Sequence, residues 1–130
     1  MQGEFRFSFG PWNIHEGADP FGPEVRKTLE FNEKLEQYKK LGFDGVQFHD
    51  DDAVPNINEK SPLEIVKEAE ALKKVLDEHE LTAELVAPRL WMDPRTIDGG
   101  FTSNCPECRQ YALDRLKRTA DIATALGTKN

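Results

Sequence analysis

Three times along this chain a short apolar run gives way to a longer stretch of helical spacing, and that alternation admits few folds. Phe5-Arg6-Phe7-Ser8-Phe9 alternates aromatic and polar residues, the period of two that a strand with one buried face requires. A stretch rich in Gly, Pro, Asn and Asp separates it from residues 28–41, where Leu29, Leu35, Tyr38 and Leu41 recur at roughly helical spacing before Gly42. Residues 43–48 read as a second strand and 50–60 as a polar loop holding Pro55. Ser61-Pro62-Leu63-Glu64 then predicts a helix start: Ser at the N-cap, Pro at the first helical position and Glu closing a capping box over otherwise orphaned backbone donors. Leu63, Val66, Ala69, Leu72, Val75 and Leu76 supply the apolar stripe of this helix, which should fade near His79. Residues 81–86 form the third strand. A long loop, 87–103, carries Trp91 and the pair Gly99-Gly100, and loops of that length are usually functional. The last helix spans about 106–126, with Asn104 and Glu107 as capping partners, Tyr111, Leu113, Leu116, Ile122 and Leu126 among its apolar residues, and Gly127 as its stop.

Strand followed by helix, three times over, predicts an α/β fold with three parallel strands side by side, since right-handed crossovers put the helices on one face. The other face and the sheet edges then need partners. A closed eight-fold barrel takes about 250 residues, whereas residues 1–130 read as one incomplete domain of βα repeats. A partial barrel completed by self-association is the expectation, because a bare sheet face bearing Phe7 or Phe9 and Val46 or Phe48 is a large apolar patch.

A formal charge of −7 opposes a nucleic-acid or anionic-membrane partner, both of which demand a concentrated basic face. Apolar runs fall far short of the ~20 residues that cross a bilayer, and the start shows no secretory pattern, so a cytoplasmic location is expected. Cys105 and Cys108 are too few for a disulfide framework.

Chemistry concentrates at Gly45-Val46-Gln47-Phe48-His49-Asp50-Asp51-Asp52, where a strand runs into a histidine and three carboxylates. Carboxyl ends of parallel strands are where catalytic groups collect, and a carboxylate beside an imidazole can fix its tautomer. This segment, with Phe7-Ser8-Phe9-Gly10-Pro11-Trp12, Asp19-Pro20-Phe21-Gly22 and Asp98-Gly99-Gly100-Phe101-Thr102-Ser103-Asn104, resembles the xylose isomerases and related TIM-barrel sugar isomerases. The motifs fall in the family's order across almost the whole chain, which looks like the first three βα units of such an enzyme.

The resemblance implies aldose-to-ketose isomerisation, D-xylose to D-xylulose, by ring opening and a metal-assisted hydride shift that uses Mg²⁺ or Mn²⁺. It places His49 at the sugar ring during opening and Asp52 as the carboxylate that orients it. Trp12 becomes a wall of the pocket, and Phe21 matches a phenylalanine inserted into a neighbouring subunit's site, so a homo-oligomer acting on a monosaccharide is implied. Two departures stand out. Asn13-Ile14-His15-Glu16 lacks the second pocket tryptophan of the family, and Ala87-Pro88-Arg89-Leu90-Trp91 replaces a polar Thr-Thr-Asn-Leu-Phe stretch, with Trp91 supplying the aromatic. The family's metal ligands and catalytic lysine lie on later strands with no counterpart in these residues, so the chain alone is expected to be inactive or very weak.

Competing readings remain. Such a chain can act as a non-catalytic half-barrel that oligomerises. Asp50 to Asp52 suggest a site for a hard cation, although consecutive carboxylates on an extended chain diverge. Cys105-Pro106-Glu107-Cys108 has the spacing of a thiol redox pair at a helix N-terminus, where the dipole lowers a thiol pKa. His79 near a helix end is expected to complement the macrodipole, and His15 to be solvated.

Overall fold

The computed structural model describes residues 5–14, 23–128 and 130. Its strands are β1 (Ser8–Phe9), β2 (Gly45–His49) and β3 (Thr82–Ala87), parallel and in the order β1-β2-β3. Its helices are α1 (Phe31–Lys40), the single turn α2 (Asp50–Ala53), α3 (Pro62–Glu78) and α4 (Pro106–Leu126). The expected architecture is present among these residues: one open parallel sheet with helices between and after the strands. β1 is shorter than the alternation predicts, although Phe7 still feeds the sheet, its carbonyl accepting from Gly45 N at 3.2 Å. Phe5 and Phe7 are exposed.

Local signals hold where the chemistry is local. Ser61 caps α3 as its sequence implies, with its backbone N–H donating to Glu64 Oε2 at 2.8 Å and Glu64 N donating back to Ser61 Oγ at 3.4 Å. Gly127 ends α4 at φ 77°, and Gly42 follows α1 at φ 80°, left-handed conformations that glycine adopts without strain. His79 lies at the C-terminal end of α3, its Nδ1 2.9 Å from the Val75 carbonyl oxygen. Asn104 does not cap α4. Cys105 occupies that N-cap, its sulfur accepting from Cys108 N at 3.4 Å.

The sheet turns its apolar residues toward the helices. Val46 and Phe48 alternate onto the covered face and are wholly buried, and Phe9 joins them, its ring centroid 5.4 Å from Tyr38 and 5.0 Å from Phe43. Leu35, Ile65, Ala69, Leu76, Ile122 and Leu126 complete this core. Gln47 pairs with Leu85 although Val46 pairs with Ala83, so Glu84 is an extra residue in β3, and the bulge brings both Ala83 and Val86 to the covered side. The open face therefore carries Ser8, Gln47, His49, Leu85 and Ala87, with Gln47 Nε2 donating to Ser8 Oγ at 2.9 Å. This corrects the expected apolar patch: Phe9, Val46 and Phe48 are spent on the helices, and the bare face is small and polar apart from Leu85.

The helix stripes differ from expectation in an instructive way. Leu63 is exposed and Ile65 is buried in its place, on the stripe that also carries Ala69 and Leu76. On α4 the buried positions are Ala112, Arg115, Thr119, Ile122 and Leu126, which leaves Leu113 and Leu116 partly exposed. An arginine and a threonine thus sit inside the helix–sheet packing, and the reason lies at the end of β2.

Candidate active site

β2 delivers His49 to the carboxyl edge of the sheet, and the chain turns at once into α2. Asp52, three residues on, comes back over the strand end: its Oδ2 accepts from His49 N at 3.2 Å and lies 2.9 Å from His49 Nδ1. Spacing and turn geometry together make the pair that the sequence suggested. An imidazole beside a carboxylate holds its proton on the shared nitrogen and leaves the other free to exchange protons with a ligand.

Two indoles flank that ring. Trp12, in the 3₁₀ turn Pro11–Asn13 after β1, has its ring centroid 4.4 Å from that of His49. A Cβ on Gly10 would overlap the Trp12 indole, so glycine at that position lets the ring lie back across the backbone and reach His49. Trp91, in the loop after β3, meets His49 edge-on at 5.0 Å and 81° and is 63% exposed, which leaves its other surface open to a ligand. An aromatic wall of this kind can cover apolar C–H edges of a ligand and exclude water. Phe21 lies outside the described residues, as does His15.

The three aspartates diverge, each to its own partner. Asp50 is fully buried, and its carboxylate accepts from Arg115 Nε, from Arg115 Nη2 at 2.8 Å, from Thr119 Oγ1 at 3.1 Å and from the Arg89 backbone N–H at 3.1 Å. Burial alone would raise its pKa, but the bonds from Arg115, Arg89 and Thr119 outweigh it and hold the carboxyl below the usual aspartate range. Arg115 shifts the opposite way, upward: burial opposes its charge, and the bond to Asp50 more than restores it. Asp51 accepts from Arg89 Nε at 2.7 Å, and Asp52 Oδ1 from Arg89 Nη2 at 2.6 Å. A cleft of about 480 Å³ is lined by Asp51, Asp52, Asn58, Glu59, Arg89 and Arg115 among others, and His49 is not one of its lining residues.

This arrangement decides against a hard-cation site at the aspartates. Among the described residues no group of three His, Cys, Asp or Glu side chains could hold a metal ion, and the Asp50–Asp52 carboxylates are already engaged by two guanidinium groups. These donors do not fit a divalent cation. Sequence reading missed Arg89, Arg115 and Thr119. Their signal was present only in combination: three adjacent carboxylates require cations, and positions 112, 115, 119, 122 and 126 form one helical stripe.

Cys105 and Cys108 are free thiols, and Cys108 is raised above the ordinary thiol value, chiefly by its hydrogen bond with Cys105 and then by burial. At Cys108 the helix terminus therefore does not lower the thiol pKa.

The family described as "Xylose isomerase-like TIM barrel" matches residues 35–130. The chain is 38% identical over 127 residues to a xylose isomerase of Thermus thermophilus, covering 97% of this chain and 32% of that protein. It is 37% identical over the same length to the xylose isomerase of Thermus caldophilus, with the same coverage. The chain thus spans about a third of the length of the curated relatives it matches. Among the described residues, no helix is long and apolar enough to cross a membrane.

Proposed function

The chain belongs to the xylose isomerase-like TIM-barrel family, and from that membership we propose that its site performs the ring-opening half of an aldose–ketose isomerisation, with D-xylose as substrate and D-xylulose as final product. The observation that supports this reading most is the His49–Asp52 pair at 2.9 Å, set between the Trp12 and Trp91 rings. Asp52 accepts the Nδ1 proton, and Nε2 takes the proton of the anomeric hydroxyl. As that O–H bond breaks, a carbonyl forms at C1, the C1–ring-oxygen bond opens, and the ring oxygen recovers a proton from the imidazolium or from water. Trp12 and Trp91 hold the sugar's C–H faces and keep water from its carbons, and Phe21 is proposed to complete that wall in a neighbouring copy.

Sugar isomerases of this family are commonly metal-dependent, and Mg²⁺ or Mn²⁺ is the cation proposed for the family's reaction, with none of the described residues assigned to hold it. Because the chain spans only a third of its relatives' length, we expect it to convert D-xylose weakly or not at all by itself. Conversion followed in the presence of either ion, native against His49→Ala, is the test. Strong turnover that survives the substitution would defeat the assignment of His49.

A second reading, association with copies of itself, is favoured by one observation: Trp91, Met92, Ile97 and Phe101 are all exposed on the loop that follows β3. These residues are proposed to meet a second copy in a cytoplasmic oligomer, the module reading of the same chain. Light scattering is expected to show a species larger than a monomer, and a monomer at every concentration would refute it.

A further inference from the structure

Nδ1 of His49 has two neighbours that make opposite demands. Asp52 Oδ2 lies 2.9 Å away and Arg89 Nη2 3.0 Å away, yet a carboxylate only accepts and a guanidinium only donates. One nitrogen of a neutral imidazole cannot satisfy both. With the proton on Nδ1, the ring donates to Asp52 and Nε2 carries a lone pair; with the proton on Nε2, Nδ1 accepts from Arg89 and its lone pair faces a carboxylate.

The surrounding bonds settle the choice. Arg89 Nη2 has a better acceptor in Asp52 Oδ1 at 2.6 Å, while its Nε is taken by Asp51 at 2.7 Å. The fork of one guanidinium thus spans two carboxylates, a fixed planar geometry that a lysine cannot reproduce. Its backbone is held as well, since Arg89 N donates to Asp50 Oδ1 at 3.1 Å and Leu90 N to the Pro88 carbonyl at 3.1 Å. Nor is the guanidinium free on its outer side, where it lies 5.8 Å from the centroid of Trp91. Tying Oδ1 stops the Asp52 carboxylate from rotating about its own bond. Oδ2, already anchored by His49 N at 3.2 Å, is left on Nδ1.

We propose that Arg89 is a positioning residue of this site: by holding Asp52 it fixes His49 in the Nδ1–H tautomer, with an unprotonated Nε2 as the atom that meets the ligand. The fixed tautomer stands on the geometry alone, whereas its use in taking a sugar hydroxyl proton rests on the sugar-isomerase reading. Arg89 touches no reacting atom and acts through Asp52.

Long-range ¹H–¹⁵N correlation spectra of the histidine rings test this directly at pH about 8.5, above the ordinary histidine range near 6.5. The His49 signals, identified by their loss in His49→Gln, are expected to show the Nδ1–H pattern in the native chain. Arg89→Gln is expected to abolish that predominance and give a mixed or Nε2–H pattern with an unchanged circular dichroism spectrum. Arg89→Lys, which still offers Asp52 one donor, should restore it in part. A native chain already in the Nε2–H form, or an Arg89→Gln chain that keeps the Nδ1–H pattern, would overturn the proposal. Should Arg89→Gln fail to fold, the native and Arg89→Lys spectra still decide. Titration of D-xylose into the native chain separates the two ideas: a correct tautomer with no sugar response refutes the substrate reading and leaves the positioning role supported.

Discussion

Removing either partner of the Asp50–Arg115 pair is expected to cost about 3–5 kcal/mol of folding stability, the loss typical when one buried charge is left without its counter-ion. Arg115 is 4% exposed and Asp50 wholly buried, so either charge left alone is poorly solvated. The pair joins the end of β2 to the middle of α4 across 65 residues, and the same carboxylate holds the Arg89 backbone and Thr119. With total stabilities of small domains at about 5–15 kcal/mol, Asp50→Ala or Arg115→Ala should leave the chain marginal or unfolded. Urea denaturation followed by circular dichroism measures this. The double change Asp50→Asn with Arg115→Met should cost less than the sum of its parts, since no buried charge remains and the amide oxygen still accepts from Arg89 N. Single changes costing under about 1 kcal/mol would place the pair in the ordinary range of exposed ion pairs and contradict its role.

Acid should reveal the same bond. Asp50 is held below its ordinary value in the folded chain, so its contribution is fully present above the unfolded value near 3.9 and is lost as pH falls through the folded value. The native chain is therefore expected to lose stability below about pH 4, and Asp50→Asn to lack that part of the loss.

Residue spacing made much of this molecule legible, and its limits have a physical cause. Period-two alternation, the Ser61–Glu64 box and the glycines at 42 and 127 are local signals, and each marks an element present in the structure. The His49–Asp52 contact was readable because three residues of tight turn bring the two together. Arg89, Arg115 and Thr119 were not readable, because their partners lie 37 to 69 residues away and nothing in local periodicity announces a cation buried on an apolar stripe. Similarly, the alternation in β2 could not say which face the helices cover. Packing of Phe9 on Tyr38 and Phe43 settles that, and it leaves a polar face toward the site. Three consecutive aspartates looked like a device for binding something from outside. Two arginines of the same chain account for most of their charge, and only Asp52 reaches the histidine.

Ring opening can be isolated from the rest of the proposed reaction, because interconversion of the two anomers of D-xylose passes through the open-chain aldehyde and needs only a proton acceptor and a proton donor. General acid–base groups in place contribute about 10²–10⁴-fold, so His49→Ala is expected to remove an effect of about that size, and Asp52→Ala most of it. The decisive measurement is the rate of D-xylose anomer exchange, by polarimetry or magnetisation-transfer NMR, with no metal added. The account predicts acceleration by the native chain well beyond free imidazole at the same concentration, lost in His49→Ala. A native chain no faster than free imidazole, or a His49→Ala chain as fast as the native one, would contradict it.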